Sequence, residues 1–99
     1  MVTVGSVVRF EAKPGKEADF ERLLKEESLL AAQREPDTTA WFAIRLGPST
    51  FGVFDAFSDE EGRQAHFEAG VKRLENAPDL LKDAPVVEKV DILAAKLPS

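Results

Sequence analysis

The sequence has no cysteine and no tyrosine, and only one residue each of histidine, tryptophan and methionine. Without cysteine there is no disulfide, no thiolate metal site and no sulfur nucleophile. A single histidine with no tight carboxylate cluster leaves no metal-ligand set to assemble, so no metal is expected. The glycines (Gly5, Gly15, Gly47, Gly52, Gly62 and Gly70) do not have the spacing of a loop that cradles phosphate. With no nucleotide motif either, no flavin, nicotinamide or other cofactor is expected. No apolar run approaches the length of a membrane span, and no basic-then-apolar leader pattern is seen. Cytoplasmic location and no membrane partner are therefore the expectation. Lys and Arg number 13 against 18 Asp and Glu, for a net charge of -5, and the cations are scattered. A surface that neutralises phosphates needs clustered cations, so no nucleic-acid partner is expected.

What is present is a compact apolar complement, 43% hydrophobic with seven phenylalanines. That suits a single domain over residues 1–99 with a core of modest size. The chain centres on Phe51 to His66. Phe51-Gly-Val-Phe-Asp-Ala-Phe57 is rich in aromatic and β-branched residues and reads as a buried strand. Ser58 and Asp59 follow, with Glu61 three positions after Ser58. That is a capping box, which starts a helix. The helix carries His66, the one side chain that titrates near neutrality.

Taken in order, Val2 to Ala12 is strand-like, with Val4, Ser6, Val8 and Phe10 on one face. Lys13-Pro14-Gly15 is a turn. From Lys16 to Arg34 the period is helical, with a stripe of Phe20, Leu23, Leu24, Leu30 and Ala31. Pro36 ends that helix. Thr39 to Leu46 is a strand, Gly47 to Thr50 a tight turn, and Phe51 to Phe57 the returning strand. Pairing Gly47 with Thr50 puts Ile44 opposite Val53 and Phe42 opposite Asp55. One face then carries Phe42, Ile44, Leu46, Phe51, Val53 and Phe57; the other carries Trp41, Ala43, Arg45, Phe54 and Ala56. A second helix runs from Asp59 to Glu75, with Phe67, Val71 and Leu74 toward the sheet. Ala77-Pro78-Asp79 breaks it, and Leu80, Leu81 and Ala84 suggest a short extra helical turn. Pro85 to Leu93 is a last strand, and Ala94 to Ser99 a tail.

The order βαββαβ predicts an α+β, ferredoxin-like antiparallel sheet with both helices on one face. Both sheet faces are apolar on this register, whereas a wet face should alternate to polar residues. A homodimer through the open sheet face is expected, most simply about a two-fold axis.

Three pieces of the chain resemble the antibiotic biosynthesis monooxygenase (ABM) superfamily of dimeric α+β barrels. They are Phe10 to Phe20 with its Lys-Pro-Gly turn, Phe54 to His66, and Val90 to Pro98. Members often show an acid, a gap, an aromatic and then a capped helix with His nine positions after the aromatic; Asp55, Phe57 and His66 have that spacing. The resemblance implies cofactor-free oxygenation of an aromatic substrate, although the superfamily also includes haem-degrading enzymes. Phe57 stands where Trp is common. The haem-degrading branch uses an Asn on the first strand, where this chain has Val8, and a later His that this chain lacks. Haem degradation is therefore disfavoured.

His66 is the candidate catalytic proton shuttle; the plainer reading is a helix histidine bonded to a carbonyl or an acid. Asp55 falls on the helix-facing side, where a carboxylate needs a donor, with Arg63 and Arg9 as candidate partners. Structural pairing is favoured over catalysis for it. Phe42, Phe57 and Phe67 are core residues or line a slot for a flat aromatic ring, with Asp55 and Arg63 as its polar contacts. Trp41 and Arg45 read first as dimer contacts and second as pocket residues. The expected function is a cofactor-independent monooxygenase acting on a small aromatic or quinol-type ligand. The alternative is a non-catalytic dimeric protein that binds a small apolar molecule.

Overall fold

A computed structural model of the chain describes residues 1–76 and 78–98. Four strands form one antiparallel sheet: β1 (Val4–Glu11), β2 (Thr38–Arg45), β3 (Thr50–Phe57) and β4 (Val86–Asp91), in the spatial order β2-β3-β1-β4. The first helix covers residues 17–34, and the second is Glu60–Glu75. This is the expected α+β, ferredoxin-like arrangement with both helices on one face. Among the described residues no helix is long and apolar enough to cross a membrane.

Local chemistry sets the ends of these elements. Gly15 has φ 86°, the left-handed conformation that the Lys13-Pro14-Gly15 turn requires, and the Lys16 N–H closes that turn on the Lys13 carbonyl at 2.9 Å. The second helix is capped differently from expectation. Asp59, not Ser58, is the cap, and its carboxylate accepts from the Gly62 N–H at 2.9 Å. Gly62 therefore fills the third helical position, and Glu61 takes no part in a capping box. The predicted break at Ala77 lies outside the described residues, as does Ser99. The extra turn beyond it is a 3-10 turn at Pro78–Leu80, and Leu81 instead forms a lone bridge to Ala12.

The first helix is not uniform. Its middle, Leu23–Ser28, is a π-turn between α-helical ends Glu17–Arg22 and Leu29–Arg34. The wider turn changes the phase of the buried stripe. Phe20, Leu23, Leu24, Ser28 and Ala32 are buried, while Leu30 is left 45% exposed.

The β2–β3 register also differs from expectation, by one residue. Trp41 lies opposite Asp55, Ala43 opposite Val53 and Arg45 opposite Phe51. The hairpin closes one residue wider, at Leu46 opposite Thr50, because the Thr50 carbonyl accepts from both Leu46 (2.8 Å) and Gly47 (3.1 Å). A one-residue slip exchanges the faces of a strand. On β2, Trp41, Ala43 and Arg45 thus face the helices, and Phe42 and Ile44 face away. The core sits at one end of the helix-covered face. Phe20 is fully buried between Phe10 and Phe51, with ring centroids 5.0 and 5.4 Å away. Arg45 caps this end, its guanidinium 4.9 Å from the centre of the Phe51 ring and paired with Glu21.

Candidate functional site

The two helices cover the sheet unequally. The first buries Phe20, Leu23 and Leu24, whereas the second buries only Gly62 and leaves Phe67 and Val71 41% and 39% exposed. The second helix stands off from the sheet, and the gap beneath it is a cavity of about 370 Å³. Its walls are apolar: Val8, Phe10, Trp41, Val53 and Val87 from the strands, Phe20, Leu23 and Leu24 from the first helix, Phe67, Val71 and Leu74 from the second. Ser6, Asp55 and His66 meet in one region of it; Ser28, Arg73 and Glu75 also line it.

β1 and β3 build the inner half of that polar region. Ser6 pairs directly with Asp55 across the two strands, and the Ser6 hydroxyl donates to Asp55 Oδ1. Gly5, beside it, allows the strands to approach: a Cβ there would lie 2.4 Å from the Asp55 carbonyl oxygen. The second helix supplies the outer half. His66 Nε2 lies 3.1 Å from Asp55 Oδ2. That contact lacks hydrogen-bond alignment, so Oδ2 is buried without a formed hydrogen bond, on a side chain 1% exposed. On the other side of the ring, Nδ1 lies 2.5 Å from Glu35 Oε1, in good geometry. Glu35 is steadied in turn by the Thr38 hydroxyl at 2.7 Å. A smaller pocket of about 180 Å³, lined by Arg34, Glu35, Asp37, Thr38, Gly62 and His66 itself, opens on this outer side.

Burial opposes a charge on His66, but the contacts with Asp55 and then Glu35, and the negative charges of both, outweigh it. The imidazole pKa is raised above its ordinary 6.5. A buried carboxylate on one side and a half-buried one on the other make the ring a stronger base than a free histidine. Asp55 and Glu35 lie against opposite nitrogens and cannot converge on one ion. Among the described residues no three such side chains are gathered to hold a metal.

The sequence-predicted site residues divide into two groups. His66, Asp55 and Phe67 meet at the cavity. Phe42 does not: the register puts it on the open face, 55% exposed and stacked on Phe54 with centroids 6.5 Å apart. Trp41 takes its place as the β2 aromatic of the cavity, the second of the two readings given for it; Arg45, on the same strand face, pairs with Glu21 and lies over the Phe51 ring without lining the cavity. Phe57 is fully buried behind the site, its ring 5.5 Å from that of His66, and does not line the cavity. Arg63 turns away. It pairs with Glu60 at 2.6 Å and donates to the carbonyls of Gly5 and Val90 at 2.9 and 3.1 Å. The partners of Asp55 are accordingly Ser6 and His66, not Arg63 or Arg9. Ser6 and Glu35 escaped the sequence reading. Ser6 did leave a signal, as the one hydroxyl among Val4, Val8 and Phe10 on a buried strand face. Glu35 left none, standing only just before Pro36 where the first helix ends.

No family model matches the sequence, and no curated protein does. Solved structures do match. The NE2512 protein of unknown function from Nitrosomonas europaea is 51% identical, over 100% of this chain and 97% of that one, with a TM-score of 0.93. A putative antibiotic biosynthesis monooxygenase from the same organism aligns over 92% of this chain and 90% of that one, with 16% identity and a TM-score of 0.81. The ActVA-Orf6 monooxygenase of Streptomyces coelicolor, in complex with nanaomycin D, aligns over 99% and 94%, with 15% identity and a TM-score of 0.73.

Proposed function

This chain belongs to the family of the Nitrosomonas europaea NE2512 protein and has the fold of the antibiotic biosynthesis monooxygenase superfamily; on that premise we propose that it is a monooxygenase that uses no cofactor and acts on a small hydroxyaromatic. The observation that carries this reading is an apolar cavity whose polar end holds a basic imidazole against a buried carboxylate. A cavity of about 150 Å³ is enough for benzene, so about 370 Å³ suits two or three fused rings. Phe10, Phe20, Trp41 and Phe67 offer them flat apolar walls.

An anthrone-type substrate illustrates the chemistry. Its ring CH2 is acidic, and His66 takes one proton from it. The electron pair left behind reduces dioxygen and forms a carbon–oxygen bond, giving a peroxide. His66 returns its proton to the distal oxygen; it then takes the second C–H proton as the C=O bond forms and the O–O bond breaks, and the departing hydroxide takes up that proton. Water leaves and a ketone remains. Both atoms of dioxygen and both hydrogens of the CH2 are accounted for, and the four electrons come from the substrate carbon. The protein contributes orientation, a dry site and the base. In ActVA-Orf6 the crystal structure holds nanaomycin D, which is consistent with a fold that accepts such molecules.

The test is oxygen uptake with a panel of anthrones and quinols. Uptake should exceed the spontaneous rate, rise with pH as His66 loses its proton, and vanish in His66→Ala. Binding of these compounds without uptake in the native protein would sink the enzyme reading in favour of a carrier.

The reading includes a homodimer. Val7, Phe42, Ile44 and Val86 on the face away from the helices are 40%, 55%, 47% and 58% exposed. A patch of this kind on a soluble protein calls for a partner surface. The same face carries Arg9 and Glu88, so a second copy related by a two-fold axis offers opposite charges as well as apolar area. A molecular mass of one chain in dilute solution would refute it.

A further inference from the structure

We infer that Glu35 is a positioning residue for His66: it holds the proton on Nδ1, so that only Nε2, on the Asp55 and cavity side, exchanges a proton with a bound molecule. The inference rests on the reading of His66 as the cavity's base. Its grounds are the two unlike contacts of one ring. The Nδ1 contact with Glu35 is 2.5 Å and well aligned, and the Nε2 contact with Asp55 is 3.1 Å and misaligned. A carboxylate oxygen only accepts, so the short contact requires the hydrogen on Nδ1. The Asp55 Oδ2 contact falls outside hydrogen-bond alignment, so Asp55 competes poorly with Glu35 for a ring hydrogen. Two acceptors then face each other at the cavity wall, and a proton delivered from the cavity is shared between them.

The surroundings keep the two roles apart. Asp55 is 1% exposed and fixed by Ser6, while Glu35 is 23% exposed and fixed by Thr38. Among the described residues no other charged group pairs with the ring, although Arg73 and Glu75 line the same cavity and Arg34 and Asp37 the same outer pocket. Arg63 on the same helix is engaged by Glu60 and two carbonyls. A free histidine prefers its proton on Nε2, so holding it on Nδ1 takes an outside acceptor, and Glu35 is that acceptor.

Because His66 is the only histidine, nitrogen-15 spectra of the labelled protein report one imidazole without assignment and without any substrate. As pH rises, Nε2 should move to its unprotonated position while Nδ1 stays protonated. Glu35→Gln keeps an acceptor oxygen but removes the charge; it should keep the tautomer and lower the titration midpoint by about one pH unit. Glu35→Ala should lose both, giving Nε2–H and a lower midpoint, with thermal melts confirming that both variants fold. Loss of the Nδ1 proton first in the native protein, or an unchanged tautomer and midpoint in Glu35→Ala, would overturn the inference. These outcomes are independent of turnover: absence of oxygen uptake speaks against the enzyme reading alone, and the spectra speak to Glu35 alone.

Discussion

The two faces of the sheet draw on the same four strands and similar apolar residues, yet they end in opposite conditions. Toward the helices, Phe10, Phe51, Val53 and Phe57 are buried at 7% exposure or less. Away from the helices, Val7, Phe42, Ile44 and Val86 remain 40% exposed or more. The polar residues differ too. The covered face holds a linked set, Ser6, Asp55 and His66, whereas Arg9 and Glu88 on the open face lie without such links among the described hydrogen bonds. Apolar content alone therefore does not say which face holds the site. Register does, because it decides whether Trp41 or Phe42 looks into the cavity.

The comparison breaks most severely if the covered face loses its anchor. Phe20→Ala empties a fully buried position between two aromatic rings. The expected cost is about 3–5 kcal/mol, a large share of the stability of a domain this size. Urea unfolding should show it as a midpoint shift with an unchanged slope. A loss below about 1 kcal/mol would mean that this end of the core collapses to fill the gap.

The open face should respond in another way. Phe42→Asp with Ile44→Asp puts charge on two exposed positions that touch neither the cavity nor the core cluster. The fold should survive and association should fail, so light scattering should report half the native mass with the circular dichroism unchanged. Unfolding of this double variant, or retention of the native mass, would count against the dimer face.

How much of this was legible in the sequence follows from the same contrast. The strands, the two helices and their order came from alternation, a 3.6-residue period and Pro or Gly breaks, all local signals. The β1 face was legible because strict alternation needs no partner strand. The β2–β3 register was not, because it turns on one carbonyl, Thr50, accepting from two amides at the hairpin end. That error sent Phe42 to the pocket and Trp41 to the interface. The π-turn at Leu23–Ser28 was hidden likewise, since nothing in Leu-Leu-Lys-Glu-Glu-Ser marks it. His66 and Asp55 stood out by rarity and by an acid on an apolar strand. Glu35 did not, because its role comes from long-range contact with His66, 31 residues away.

A milder change sharpens the contrast at the cavity. Trp41→Ala should weaken binding of a two-ring hydroxyaromatic such as 2-naphthol about tenfold, close to 1.4 kcal/mol, with no change in mass. Fluorescence titration measures it. If the substitution left affinity intact but halved the mass, Trp41 would belong to the interface and the register described above would be wrong.

The smallest effect expected is on stability near neutral pH, and it isolates the polar end of the covered face. The pKa of His66 is raised in the folded chain above its ordinary 6.5, so folding favours the protonated ring. That contribution is fully present below about pH 6.5 and is lost as pH rises through the folded value. The shifted carboxylates, Glu11 and Glu60, have lowered pKa values, so their contributions are lost at acid pH and do not interfere. Urea midpoints should therefore be level in mildly acid solution, fall across the window above about 6.5, and level again once the folded ring has titrated, with a slope below about 1.4 kcal/mol per pH unit. His66→Gln should flatten that step and leave the acid limb alone. A native protein that grew more stable across this window would mean that the buried ring is held neutral, and Asp55 would then need another source for the donor that its burial demands.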